Sequence, residues 1–248
     1  MRRSATTLTL VLSLLAGLAA VAVADTLVGT DAGETLNGTP RPDQLYAEGG
    51  DDTVQGLEGN DYLEGGSGAD RIEGGGGLDL LIAGTGGDRV DAGAGNDVVY
   101  AGAADDVVLA GTGADTLFGQ AGRDQLFGGS GRDRLYASDG GDVASGGGGG
   151  DRIVSDAGNA TLLGGSGRDV ILATGGDVTV NGGSSSDRIR TGAGADRVTG
   201  GTGRDGIATG AGNDTVDVRD GNRDRVRCGP GHDTVVADGF DLLGDCED

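Results

Sequence analysis

A repeat nine residues long runs through this chain and constrains its fold more than any other feature. The stretches GGSGADRIE (Gly65–Glu73) and GGGGLDLLI (Gly74–Ile82) align as Gly-Gly-x-Gly-x-Asp-x-aliphatic-x. Stepping by nine in both directions needs no gap between Gly29 and Asp217, which makes 21 units. Self-similarity at a short fixed period is typical of stacked-repeat architectures, so the pattern predicts a solenoid rather than an ordinary globular domain.

The composition agrees with a repeat fold and excludes other classes. Glycine supplies 56 of 248 residues, but there are only 3 prolines and glycine does not recur every third residue, which excludes collagen. High glycine and charge would indicate disorder if the glycines lacked a period, and here they have one. The chain carries 40 acidic residues against 18 arginines, a formal charge of −22. This charge argues against nucleic acid as a partner, because phosphates would be repelled.

Three positions of the unit define its structure. The eighth is Leu, Ile or Val in 20 of 21 units, the sixth is Asp in 18 and the fourth is Gly in 17. Glycines at positions one, two and four allow backbone angles that other residues avoid, which predicts a tight turn of about six residues. Positions seven to nine alternate as a very short strand whose eighth side chain faces inward. The ninth should point outward and form ladders, one of them apolar from Ile82 to Leu172 at intervals of 18.

These units resemble the hemolysin-type calcium-binding nonapeptide of the RTX family, over about 190 residues. The resemblance implies an all-β fold, a parallel β-roll or β-solenoid in which two units of nine residues make one coil. Its two sheets would face each other across a thin aliphatic core. Calcium ions would lie between stacked turns, each held by two loops 18 residues apart.

Calcium (Ca2+) is also the cofactor that the residue types favour. Stacking places aspartates 18 apart above one another, so the metal-free chain should be expanded by charge repulsion and by the entropy of its glycines. Calcium takes six to eight oxygen ligands from carboxylates and carbonyls. Zinc is a poor rival because His232, Cys228 and Cys246 are the only soft ligands. Magnesium prefers rigid, partly hydrated octahedral sites.

The carboxylates form two rows, one on each edge of the roll. The first is unbroken from Asp43 to Asp205, whereas the second has Ala160 and Val178 in place of aspartate. Adjacent pairs number nine and seven, so sixteen ions are an upper bound. The candidate carboxylate ligands are Asp52, Asp61, Asp70, Asp79, Asp88, Asp97, Asp106, Asp115, Asp124, Asp133, Asp142, Asp151, Asp169, Asp187, Asp196, Asp205 and Asp214. The candidate loop glycines are Gly65, Gly66, Gly68, Gly74, Gly75, Gly77, Gly128, Gly129 and Gly131.

Some assignments within these rows stay open. The loops before Glu34 and Asp43 depart from the pattern, since Ala32 and Pro40–Pro42 replace loop residues, and neither carboxylate is counted among the candidate ligands. A solvated acidic face is the alternative reading of the aspartates, although solvation does not demand a period of nine. Arginines at positions five or seven should offset charge, with phosphate or sulfate binding as the alternative; they are Arg71, Arg89, Arg132, Arg134, Arg152, Arg188 and Arg197.

The two ends of the chain predict how the roll begins and ends. Residues 1–24 read as a secretory signal peptide, with a basic start, an apolar run and the small-x-small end Ala22–Ala24; a membrane anchor is the alternative. The roll is then assigned to residues 25–227. Residues 228–248 are assigned to a C-terminal cap with one repeat unit and a disulfide between Cys228 and Cys246, which lie one coil apart. A reactive or metal-binding cysteine pair is the alternative.

No catalytic constellation is visible in the sequence. His232 is the only histidine and occupies a variable loop position, without a zinc-protease motif or a nucleophile partner. The expectation is therefore a secreted, extracellular calcium-binding protein that is not an enzyme, without a membrane span, serving as a structural or adhesive module. The partner would be a cell-envelope component or a polysaccharide. The alternative function is a carbohydrate-active enzyme, or an accessory module of a secreted enzyme.

Overall fold

The structure is a computed structural model that describes residues 26–138 and 140–246. The predicted signal peptide lies outside these residues. Within them the chain forms 25 short strands. In chain order they are β1 (Thr26–Val28), β2 (Thr35–Asn37), β3 (Gln44–Tyr46), β4 (Thr53–Glu58), β5 (Tyr62–Ser67), β6 (Arg71–Gly77), β7 (Leu80–Thr85), β8 (Arg89–Gly95), β9 (Val98–Ala103), β10 (Val107–Gly113), β11 (Thr116–Ala121), β12 (Gln125–Gly131), β13 (Arg134–Ala137), β14 (Val143–Gly149), β15 (Arg152–Ser155), β16 (Thr161–Ser166), β17 (Val170–Ala173), β18 (Thr179–Ser184), β19 (Arg188–Arg190), β20 (Arg197–Thr199), β21 (Gly206–Ala208), β22 (Thr215–Asp217), β23 (Arg225–Arg227), β24 (Thr234–Val236) and β25 (Leu242–Gly244).

The strands alternate between two parallel sheets. All odd-numbered strands form one sheet of 13 and all even-numbered strands form another of 12, each in sequence order. Neighbouring strands pair with a register of 18, as in Leu63↔Leu81 of β5 and β7. Two units of nine therefore complete one coil, and the predicted parallel β-roll is confirmed.

The core is thinner and more regular than that of a globular domain. The eighth-position side chains are fully buried between the sheets, as predicted, for example Leu81 and Ile153. The first position also faces inward, which the sequence reading did not anticipate. Small residues occupy this second row, for example Ala83 and Ala92, because it lies where the chain turns from one sheet to the other.

In the central coils the strands run through the predicted turn. Strand β6 spans seven residues and includes Gly74–Gly77. The reason is that loop amides pair between coils, as when Gly68 N donates to Thr85 O at 2.8 Å. Gly68 has a φ of +131°, and a Cβ there would collide with the carbonyl oxygen of Gly50 in the coil before. Such contacts explain why the loop positions need glycine.

The outward ladder predicted at the ninth position is present. Tyr100 and Phe118 are register partners, as are Phe118 and Tyr136. Their rings stack with centroids 4.8 Å apart in each pair and planes within 7° of parallel. Both faces of the Phe118 ring are therefore covered by its two tyrosine neighbours.

Among residues 26–138 and 140–246 there is no helix long and apolar enough to cross a membrane.

Candidate metal centre

The sixth-position aspartates form two buried ladders that run along the edges of the roll. In most coils the backbone amide of one aspartate donates to Oδ1 of the aspartate 18 residues later. Asp79 N to Asp97 Oδ1 measures 2.9 Å, and Asp97 N to Asp115 Oδ1 measures 2.8 Å. Each carboxylate is thus fixed by the backbone of the preceding coil and is held almost out of contact with solvent.

The second carboxylate oxygen of these residues is buried and has no hydrogen-bond partner. This holds for Oδ2 of Asp52, Asp61, Asp70, Asp79, Asp88, Asp97, Asp106, Asp115, Asp124, Asp133, Asp151, Asp169, Asp187, Asp196, Asp205, Asp214, Asp224 and Asp233. Buried carboxylate oxygens are costly unless they are paired with a donor or a cation. A repeated orphaned oxygen of this kind fits a ladder of metal ligands.

The orphaned oxygens face carbonyl oxygens across the glycines at position one. A point beside Gly65, where a Cβ would stand, lies 2.5 Å from Asp70 Oδ2 and 2.6 Å from the carbonyl oxygen of Ala83 in the next coil. The two oxygens are therefore at most about 5 Å apart, within reach of one calcium with ordinary Ca–O distances of about 2.3–2.6 Å. The ion would not lie at the Cβ point itself, because a methyl group occupies that point in units with alanine at position one, such as Ala83 and Ala92. The same arrangement recurs beside Gly56 and Gly128.

Burial makes these carboxylates poor anions in the absence of a cation. The pKa of Asp97, Asp106 and Asp187 is raised to about 7 from 3.8, first by burial and second by the charges of neighbouring aspartates 18 residues away. The amide of the preceding aspartate opposes this shift by stabilising the charged form. Desolvation is the largest cause, ahead of the charge repulsion emphasised by the sequence argument. A bound cation would relieve both effects.

The donor set fits calcium better than zinc. Among residues 26–138 and 140–246, no three carboxylate, histidine or cysteine side chains come together as a metal cluster. Each ion would therefore need backbone carbonyls beside one or two carboxylates, which is the ligand type of calcium. The soft ligands are unsuitable: Cys228 and Cys246 form a disulfide with Cα atoms 4.9 Å apart, and His232 is exposed in a loop.

The predicted interruption of the second row is visible in the structure. Ala160 and Val178 take the places of two aspartates and are buried in the hydrophobic core. Nearby Asp177 does not replace them, since it is exposed and its Oδ1 accepts from Ala195 N at 2.7 Å in the position-five ladder. The neighbouring Asp156 is also exposed.

The first coil differs from the others in the way the sequence suggested. Glu34 accepts hydrogen bonds from the amide and hydroxyl of Thr30. Asp43 Oδ2 likewise accepts from Thr39 N at 2.5 Å. These carboxylate oxygens already have donors within their own loops, which leaves them less available to an ion.

The structure adds two carboxylates that were absent from the sequence-based candidates. Asp205 N donates to Asp224 Oδ1 at 2.7 Å, and Asp214 N donates to Asp233 Oδ1 at 2.9 Å. Both acceptors lie 19 residues after their donors, because Val218–Arg227 is one residue longer than a unit. The Gly-x-Asp of residues 231–233 was visible as a repeat. Asp224 is not preceded by the Gly-Gly-x-Gly pattern, so its distance from Asp205 was the one sequence signal that could have identified it.

Comparison with known families agrees with this geometry. A profile of the RTX calcium-binding nonapeptide repeat matches the chain in eleven segments, which together cover residues 28–224. No curated protein matches the chain.

Proposed function

The chain belongs to the RTX calcium-binding nonapeptide repeat family, and from this premise we propose that it is a secreted, calcium-folded module with a structural or adhesive role outside the cell. That it is a calcium-binding repeat protein built as a β-roll follows from the family itself. The proposal concerns the compartment, the role and the residues that hold the ions.

The ladder of buried, unpartnered Oδ2 atoms carries the proposal. Each ion would lie between two coils and take Oδ2 of sixth-position aspartates together with loop carbonyls. Asp79, Asp97 and Asp115 are representative of the first row, and Asp88 and Asp106 of the second. Bound calcium would offset the burial of these carboxylates, so that folding and ion binding are one process.

Two further observations support the extracellular assignment. RTX repeat proteins are typically extracellular, and the roll ends in a disulfide between Cys228 and Cys246, a bond that persists in oxidising compartments. We assign residues 1–24 to the secretion signal and residues 228–248 to a cap. The cap would supply the last strand of each sheet, β24 and β25, and so cover the edges of β22 and β23.

We also propose that the protein is not an enzyme. The roll is a structural calcium-binding module, and the pattern of its described residues is repetitive from end to end. A carbohydrate-active role would instead show as turnover of an acidic polysaccharide. Assay of the purified protein on such substrates, with and without calcium, separates the two functions.

The decisive test is circular dichroism of the purified protein during a calcium titration. We expect a mostly disordered chain in chelator and β structure at millimolar calcium, since extracellular modules bind at about 10⁻⁴–10⁻³ M. Magnesium at the same concentration is the control and should not replace calcium. A spectrum that chelator leaves unchanged would overturn calcium-driven folding. Immunodetection in medium, envelope and cytoplasmic fractions tests the compartment.

A further inference from the structure

Arginine is concentrated on one part of the roll, despite the acidic charge of the whole. Of the 16 arginines after residue 24, eight lie on one edge of the odd-numbered sheet, at positions five and seven of the units between residues 128 and 227. The position-five column contains Arg132, Arg168, Arg204 and Arg223, and all four side chains are exposed. The corresponding coils nearer the N-terminus have no arginine in either column.

The position-seven column stands beside the first. It contains Arg134, Arg152, Arg188 and Arg225, which are also exposed. Since the sixth-position aspartate between the two columns points inward, the arginine side chains form the two sides of a shallow groove. We call this feature the arginine groove and define it by these eight side chains.

The groove is continuous along several coils. A concavity of about 610 Å³ is lined by Arg168, Arg188, Arg204, Arg223 and Arg225. A second concavity also contains Arg168 and extends the groove toward the N-terminal coils, where the Arg132 guanidinium lies over Gly150. From Arg132 to Arg223 there are five coil spacings, or roughly 25 Å at about 4.8 Å per coil.

None of the eight groove arginines forms an ion pair within the described residues, although the charges of Arg132 and Arg168 act on the floor carboxylates of Asp151 and Asp187. Within residues 26–138 and 140–246 the ion pairs are Arg71–Glu73 and Arg219–Asp217, both outside the groove. The carboxylates on its floor are nearly inaccessible, for example Asp169, and their outer oxygen already accepts from a backbone amide. Guanidinium groups therefore face solvent with their donors unused.

We propose that the arginine groove binds a linear acidic polysaccharide, with its carboxylate or sulfate groups paired to successive arginines. Arginine is the side chain best suited to planar, bidentate recognition of such oxyanions. Arg132, Arg168 and Arg204 recur every second coil, about 10 Å apart, so the groove offers a periodic row of cations to a polymer with a periodic row of anions. This inference rests on the proposed function, because it requires the calcium-folded roll.

Other polyanions fit the groove less well. Nucleic acid strands on non-specific sites stack their bases on aromatic rings, and the lining of the groove contains none before Phe240 at its C-terminal end. A membrane would face the whole acidic molecule and not the groove alone, and the large apolar side chains available for insertion, Phe240 and Leu242, lie only at the C-terminal end of the groove. A single polysaccharide chain can follow the groove and avoid the acidic surfaces on either side.

The test is binding of the full protein at saturating calcium to dextran sulfate and to hyaluronate, with neutral dextran as the uncharged control. The test variant is Arg168→Gln/Arg188→Gln/Arg225→Gln. A charge-matched control removes three arginines from the opposite edge, as Arg89→Gln/Arg123→Gln/Arg197→Gln. We expect the test variant to weaken binding about tenfold, as three exposed charge contacts of ordinary strength predict, and the control by less than twofold.

The possible outcomes separate this inference from the proposed function. Circular dichroism is recorded for each protein first, and since all six arginines are exposed, calcium-induced folding should be unchanged. If calcium fails to fold the wild type, the proposed function fails. If the wild type folds and binds neither acidic polymer, or if both variants weaken binding equally, only the inference fails. Tighter binding to oligo-dT or to phosphatidylglycerol vesicles than to both polysaccharides would overturn the choice of partner. A second variant, Arg152→Gln/Arg204→Gln/Arg223→Gln, must reproduce the loss.

Discussion

The proposed metal centre can be tested by comparing a substitution of one inward-facing aspartate with the same substitution of the outward-facing aspartate that precedes it in sequence. Asp106 is buried, its Oδ1 accepts from Asp88 N at 2.8 Å, and its Oδ2 has no partner. Asp105 is exposed, and its Oδ1 accepts from Arg123 N at 2.9 Å. The variants Asp106→Asn and Asp105→Asn therefore remove the same charge from adjacent residues that each hold one inter-coil hydrogen bond. They differ in whether the second oxygen faces the proposed ion.

The expected difference between the two variants is large in calcium and disappears in chelator. Asp106 would serve the ions on both sides of its coil, so Asp106→Asn should weaken two sites. At a calcium concentration a hundredfold above Kd, each site adds about 2.7 kcal/mol, which gives a loss of about 5 kcal/mol. In chelator, where the chain is expected to be mostly disordered, the same variant should not lower the residual β structure, because the neutral amide is easier to bury than the carboxylate. In calcium, Asp105→Asn should change stability by less than about 0.5 kcal/mol.

Isothermal titration calorimetry and urea unfolding followed by circular dichroism measure the two quantities. Asp106→Asn should lower the number of bound ions by one to two and shift the calcium-bound unfolding midpoint to lower urea. Equal losses in the two variants would show that net charge, and not the inward oxygen, controls calcium binding. Unchanged stoichiometry in Asp106→Asn would remove this aspartate from the ligand set.

Three further predictions concern pH, the disulfide and the interrupted row. In chelator, the roll should gain β structure as the pH falls from 8 to 4, because the pKa of Asp97 is raised to about 7 from 3.8, chiefly by burial. The stabilisation by the protonated carboxyl is complete below about pH 4 and is lost as the pH rises through 7. A circular dichroism spectrum that does not change with pH would contradict this. Replacing Cys228 and Cys246 by serine should destabilise the last coils by about 3 kcal/mol, seen as faster hydrogen exchange in C-terminal peptides only, whereas uniform acceleration would deny a local role. Along the interrupted row an anomalous-scattering map should show fewer ions than along the other, and Ala160→Asp with Val178→Asp should raise the stoichiometry; two full, equal rows would refute the gap.

The regular part of the fold could be predicted from sequence because it depends on one period. Ile153 at position eight and Asp151 at position six show their roles through type and spacing alone, and the register of 18 follows. The inward first position was missed because glycine and alanine there were read only as turn residues, although Ala83 and Ala92 are buried as deeply as the aliphatic row. Asp224 was missed because one inserted residue displaced it from the period.

Properties that depend on two coils at once were beyond the sequence reading. Oδ2 of Asp97 has no partner because the amide of Asp79 donates to Oδ1, and that hydrogen bond forms only after the coils have stacked. The same holds for arginine. The column of Arg132, Arg168 and Arg204 follows from the same spacing of 18, but the absence of ion pairs to these side chains is seen only in the folded roll.

The two oxygens of each aspartate couple neighbouring ions along an edge. An ion that draws Oδ2 of Asp97 inward also fixes its Oδ1, and through the 2.9 Å hydrogen bond it fixes the backbone of Asp79, itself a proposed ligand of the adjacent ion. Stability in stacked repeats is a sum of unit and nearest-neighbour terms, so many weak sites coupled in this way can fold the chain over a narrow range of calcium concentration. On the interrupted edge, Val178 N still donates to Asp196 Oδ1 at 3.0 Å, but neither Val178 nor Ala160 has a side-chain oxygen to accept from the coil before or to bind an ion. The opposite edge passes the same coils without a break, so we expect folding to propagate across the gap on that edge alone.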